Sequence, residues 1–268
     1  MNRLAMYRVT TVVLIALGVA ACATVPMTGR KQLAFIPDSQ LLAMSNDEYM
    51  QVLQESKLSS DPRKARAVQR VGRRLAEATE AYLAYKGIPI DEYDWEFNVI
   101  DDDSTVNAWC MPGGKVAVYT GILPVTRDDT GLATVMGHEI AHAIARHGEE
   151  RLSQQLLVEL GSVALSQAMK AKPEKTRDLF MQAYGGSSRL GVLLPYSRRH
   201  ESEADRIGLT LMAVAGYDPR EAIPFWERMA ALGGQRPPEF LSTHPDPEKR
   251  IEDIRSHLPE ALTEYAGD

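Results

Sequence analysis

His138-Glu139-Ile140-Ala141-His142 places two imidazoles four residues apart with a carboxylate between them. At about 100° per residue, that spacing leaves the rings roughly 40° apart on one helical face, close enough to hold a single metal ion. Glu139 then sits where a base must sit, to take the proton of a zinc-bound water and hand it to a leaving amine. Such chemistry is metal-assisted hydrolysis. Because five residues can match this pattern by accident, the surrounding sequence has to decide.

The surroundings supply a helix. Asp128-Asp129-Thr130 is a start signal, and Leu132, Val135, Met136, Ile140 and Ile144 recur at three- and four-residue steps, predicting an amphipathic helix over 128–146 with its histidines turned to a cleft. The bland alternative is a charged helix with two exposed histidines. A catalytic zinc also needs a third protein donor. In an HExxHxxGxxH arrangement that donor would fall at position 148, which is Gly148. His147 comes one residue early, roughly 140° round a continuous helix from His142, and is expected at the surface. Downstream, Glu201 and Asp205 lie four apart in His200-Glu201-Ser202-Glu203-Ala204-Asp205. Glu201 can supply the carboxylate ligand, and Asp205 can accept the hydrogen bond from a ligating histidine's other ring nitrogen. Glu203, about 200° from Glu201, should face elsewhere; read alone, the whole stretch could be a solvated acidic helix start.

The chain has 268 residues and a formal net charge of −6. Arg3 and Arg8 precede an apolar run from Val9 to Ala21 that is short for a membrane span and reads as a signal peptide, an uncleaved anchor being the alternative. Val19-Ala20-Ala21-Cys22 resembles a bacterial lipobox, which implies lipidation of Cys22 and a membrane tie through it. With Ala23 after the cysteine, the resemblance implies the periplasmic face of the outer membrane. Without the leader, about 250 residues remain, enough for one catalytic domain over 38–268 behind a lipidated tether at 22–37. Acidic balance and the lack of a basic patch argue against a nucleic-acid partner. Cys110 is then the only other cysteine, so no internal disulfide is expected; it is a small buried hydrophobe or a reactive thiol.

The elements around the motif read as α+β. Residues 24–37 look irregular. Asp38 and Asp61-Pro62 signal helices running to about Ser56 and Lys86. Between Trp95 and Thr120 the period changes, with strands at 95–100, 106–111 and 115–120 and a turn at Pro112-Gly113-Gly114, predicting a three-stranded, mostly antiparallel meander that leads into the HExxH helix. Further helices are expected at 149–171, with Leu152, Leu156, Leu160, Val163 and Ala164 on the apolar face, at 199–215, and after the Asp218-Pro219 and Asp246-Pro247 pairs. Residues 172–196 are either a flap or a plain connection.

Together, His138-Glu139-xx-His142, Glu201-xxx-Asp205, Asn107-Ala108, Pro112-Gly113-Gly114 and Thr243-His244-Pro245 resemble family forty-eight of the metallopeptidases. This gluzincin family includes HtpX, the Ste-type proteases and the envelope proteases LoiP and BepA. The resemblance covers roughly 41–257 and is nearest to the small LoiP-like and BepA-like bacterial members. It implies a mainly helical zincin-type domain, one zinc ion held by His138, His142 and Glu201, Glu139 as general base and acid, and Asn107 and Ala108 pairing with an extended substrate. His244 could stabilise the oxyanion, cap the zinc as a fourth ligand, or lie on the surface beside a helix. The expected activity is zinc-dependent hydrolysis of peptide bonds in unfolded or misassembled envelope proteins. The rivals are a chaperone or assembly factor that holds client strands, and a structural lipoprotein whose motif is accidental. Substrate identity and oligomeric state are not legible in these residues.

Overall fold

The computed structural model describes residues 22–89, 93–169, 197–232 and 239–265. These fall into two compact units, one built from residues within 1–38 and 149–193, the other from residues within 39–148 and 194–268. The predicted leader and the 172–196 segment lie outside the described residues. Among the described residues no helix is long and apolar enough to cross a membrane.

In the first unit, β1 (Cys22–Thr24) and β2 (Lys31–Leu33) form an antiparallel hairpin with Cys22 opposite Leu33. Residues 24–37 were expected to be irregular; the sequence has no long alternation there, and the hairpin forms because Met27 and Gly29 take positive φ and turn the chain. Arg30 makes an ion pair of 2.7 Å with Glu150, and the Phe35 N–H donates to Ser153 Oγ. Leu156 and Leu160 are exposed rather than facing a core.

The second unit carries the motif. Helix α1 (Asp38–Glu55) precedes α2 (Pro62–Tyr85), which starts as its sequence predicts: Asp61 accepts from the Arg63 N–H and Pro62 occupies the first helical position. Val68, Val71, Leu75 and Leu83 of α2 are buried, and Gly72 lets it lie flat on the Phe97 ring, where a Cβ would come within 2.3 Å.

Strands β3 (Glu96–Ile100), β4 (Ala108–Met111) and β5 (Lys115–Tyr119) form one sheet in the order β3-β5-β4. The expected meander is therefore corrected: β5 pairs parallel with β3 and antiparallel with β4. Strand β5 takes the centre because Val116, Ala117 and Val118 are all fully buried, as a strand covered on both faces requires. Gly113 and Gly114, both at positive φ, close the β4–β5 hairpin. The outer edge of β3 is partly covered by residues 57–59, with the Ser59 N–H donating to Val99 O. Strand β4 is left at the other edge.

A short helix, α3 (Leu123–Thr126), leads into α4 (Asp129–Ile144), whose N-cap Asp128 accepts from the Thr130 and Gly131 N–H groups. Every residue from Gly131 to Ile144 is buried, so α4 is a central helix rather than one with a face on an open cleft. Ala145 caps it, Arg146 turns left-handed at φ 58°, and α5 (His147–Met169) begins. Helix α6 (Arg198–Val214) crosses α4 at Gly137 and Gly208; a Cβ on Gly208 would stand 3.1 Å from the His138 nitrogen. Helices α7 (Ala222–Ala231), α8 (Glu239–Thr243) and α9 (Pro247–Leu262) complete the unit. Asp218 caps its turn through the Arg220 N–H, but Asp246 does not cap α9: it is left-handed at φ 68° and pairs with Arg198 instead.

Candidate metal centre

Helical spacing on α4 turns His138 and His142 to the same side, where α6 presents Glu201 and the residue after α8 presents His244. All four side chains are buried, and one donor atom from each lies within 4.8 Å of the others. His138 Nε2 is 3.0 Å from His142 Nε2, 3.5 Å from Glu201 Oε2 and 3.3 Å from His244 Nδ1. His142 Nε2 is 3.4 Å from Glu201 Oε1, and His244 Nδ1 is 3.1 Å from it. Donors about 2.0–2.1 Å from a tetrahedral ion are separated by about 3.3–3.4 Å, so this set fits zinc without rearrangement. It is the one such group among the described residues.

Glu139 lies beside the donors, 3.5 Å from His244 Nε2, and its buried Oε1 accepts no hydrogen bond. A carboxylate oxygen left without a donor in a buried polar site is placed for a water proton. Burial pushes the Glu139 carboxyl up from its ordinary value, which favours a proton-accepting group that can also release its proton. Burial drives His142 well down, so its ring is neutral, as a ligand must be. Burial and Arg250 also pull His138 down, but hydrogen bonds with Asp205 and Glu201 outweigh them and raise it. Glu201 is held well below the usual carboxylate range, because Arg250 and His244 more than offset its burial.

Asp205, one turn beyond Glu201, is 3.1 Å from His138 Nδ1 and fixes that ring with Nε2 toward the donors. Its charge is matched by a residue that sequence reasoning missed. Arg250, on α9 and buried, donates through Nε and Nη2 to both Asp205 oxygens, the first bond at 2.9 Å. Its Nη1 stands 2.9 Å from Glu201 Oε2 as an ion pair without hydrogen-bond geometry. The guanidinium also stacks 3.5 Å from the centre of the Trp226 ring. Nothing in Lys249-Arg250 distinguishes the inward residue, since both are basic and helical; Lys249 instead pairs with Glu252 and Asp253.

His147 and Glu203 were expected at the surface and facing away, and both are buried. The angular argument assumed that α4 continued, whereas the left-handed Arg146 ends it and folds His147 back, its Nδ1 2.9 Å from His142 Nδ1. Glu203 then meets His147 Nε2 at 3.0 Å. Asn107 and Ala108 are buried beside the start of edge strand β4, and Asn107 Oδ1 accepts from the Ala108 N–H. Burial and the nearby Glu139 push the Cys110 thiol well above its ordinary value, so it stays protonated.

A buried HExxH helix with a glutamate donor from a second helix defines a gluzincin-type metallohydrolase centre. Residues 62–258 match peptidase family M48, and the chain belongs to that metallopeptidase family. It is 38% identical over 246 residues to the mitochondrial metalloendopeptidase OMA1 of Schizosaccharomyces pombe, covering 88% of this chain and 66% of that protein. The human mitochondrial metalloendopeptidase OMA1 is 34% identical over 249 residues, covering 88% of this chain and 46% of that one. The Beta-barrel assembly-enhancing protease of Escherichia coli is 27% identical over 242 residues, 87% of this chain and 47% of its own length.

These likenesses correct the expected compartment. The mitochondrial proteases match better than the bacterial envelope protease, which overturns placement at the periplasmic face of the outer membrane. The nearest resemblance is likewise not specifically to LoiP-like and BepA-like proteins. Lipidation of Cys22 loses the support that this placement lent it. A short apolar run with small residues before a cysteine is a weak signal, whereas the likeness extends over 246 residues.

Proposed function

We propose that this chain is a zinc-dependent endopeptidase acting on extended segments of unfolded or misassembled polypeptides. The observation that supports it best is the unbonded Glu139 Oε1 beside donors spaced for a tetrahedral ion. Bound by His138, His142 and Glu201, one zinc ion would supply Lewis-acid chemistry, acidifying a water and polarising the scissile carbonyl. Glu139 takes the water's proton and delivers it to the departing amide nitrogen. Asp205 and Arg250 keep His138 oriented and balance the local charge.

Strand β4 presents the substrate's track. Asn107 O accepts from the Tyr119 N–H across the sheet, so by alternation Ala108 and Cys110 turn their backbone groups to the open edge. An extended peptide can pair there through main-chain bonds, favouring unfolded segments over any one side-chain sequence. Asn107 Oδ1 holds the Ala108 N–H until a substrate carbonyl replaces it. His244 Nδ1 completes the donor set and closes the centre; its withdrawal opens the position that a carbonyl needs.

Glu139→Gln is the direct test, with a denatured protein as substrate. Zinc and substrate binding should persist while cleavage falls by at least about 10²-fold. Unchanged cleavage would refute the mechanism, and substrate binding without cleavage by the wild type would favour the chaperone.

A further inference from the structure

His142 is held differently from its partner ligand. Asp205 faces Nδ1 of His138, but what faces Nδ1 of His142 is another imidazole, His147, at 2.9 Å. Beyond it, His147 Nε2 is 3.0 Å from Glu203 Oε2, and the His200 ring stacks on His147 with centres 4.5 Å apart and planes at 27°. All of these side chains are buried.

We propose that His147 and Glu203 are positioning residues that select the metal-binding tautomer of His142 through a His142–His147–Glu203 hydrogen-bond chain. The inference rests on the reading of His142 as a metal ligand. When Nε2 of His142 is the donor atom, its proton sits on Nδ1 and must be given to an acceptor. His147 Nδ1 can accept it only if the His147 proton is on Nε2, and Glu203 accepts that one. Each bond therefore fixes the direction of the next, and the carboxylate at the end sets the polarity of the whole chain. The stacked His200 ring restricts rotation of His147 out of line.

The discriminating pair is His147→Asn and His147→Gln. An asparagine oxygen can reach the position of Nδ1 and still accept from His142. Glutamine places its amide near Nε2, where it keeps contact with Glu203 but offers His142 nothing. Zinc affinity, measured by chelator competition on the full-length protein, should fall about 10–100-fold in His147→Gln and stay within about threefold of wild type in His147→Asn. Glu203→Gln, nearly isosteric, should weaken zinc by less than His147→Gln does. Equal affinities in wild type and His147→Gln would overturn the proposal. So would equal losses in the two His147 variants that follow their melting temperatures, since a merely structural role would move both. Affinity is read without cleavage, so a zinc-binding wild type that cuts no substrate would sink the peptidase reading while leaving this result interpretable.

Discussion

Arg250→Met removes the guanidinium that faces both Asp205 and Glu201 and leaves a side chain able to rest against Trp226. At an effective dielectric near 20, each charge contact at about 3–4 Å is worth about 4–5 kcal/mol before desolvation. The loss has a ceiling, because an abandoned aspartate can protonate: at pH 7, some three units above its ordinary pKa, that escape costs about 4 kcal/mol. A loss of about 3–5 kcal/mol is expected in the metal-free protein, as for other broken buried pairs. At about 2–4 °C per kcal/mol for a domain of this size, the melting temperature should fall by about 6–20 °C. The sign with pH follows from Asp205, which is buried but held low by Arg250. Its contribution is present above its unfolded pKa and disappears as pH falls through the depressed native value, so the gap between wild type and variant should be widest near neutrality and narrow toward pH ~4. Thermal unfolding followed by circular dichroism in chelator, from pH ~4 to ~8, measures both. With saturating zinc the loss should shrink, because Glu201 then faces a cation. A neutral-pH drop under about 2 °C, or a gap that does not change with pH, would refute the charge-balance reasoning.

Three more outcomes test the scaffold and the centre. Gly208→Val would force α6 away from the His138 nitrogen, 3.1 Å from a Cβ at that position; we expect about 1–3 kcal/mol of destabilisation and weaker zinc binding, and wild-type affinity in chelator competition would show that this crossing does not set the donors. Lys115 is buried and, despite burial, raised above its ordinary pKa by Asp94 and Glu96. Its stabilisation is complete below its unfolded pKa of about 10.4 and lost as pH rises through the higher native value, so Lys115→Met should narrow its stability gap to wild type in melts above that range. His244→Ala should weaken zinc retention by on the order of tenfold while the zinc-saturated variant cleaves at least as well as wild type; a fall of about 10²–10³ in kcat would assign the ring to the oxyanion instead.

What the chain alone determined is its local chemistry. Helical spacing put His138 beside His142 and Glu201 in line with Asp205, because a rigid 3.6-residue repeat carries angular information across one turn. Asp61, Asp128 and Asp218 were readable as caps for the same reason: the bonds span two or three residues. Gly148 excluded a three-histidine motif without any fold.

Tertiary structure decided whatever depends on how elements meet. The centre of the sheet went to β5 because both its faces are covered, which alternation within one strand does not reveal. Extrapolating a straight helix sent His147 to the surface; one left-handed residue, Arg146, returned it to His142. Arg250 resembles any helical surface arginine until α9 lays it over Asp205 and Trp226. A buried charge is specified by its partners, and here those partners lie 45 residues away in sequence. The five-residue motif was therefore enough to name the reaction class, whereas the shell that holds its two histidines exists only in the folded chain.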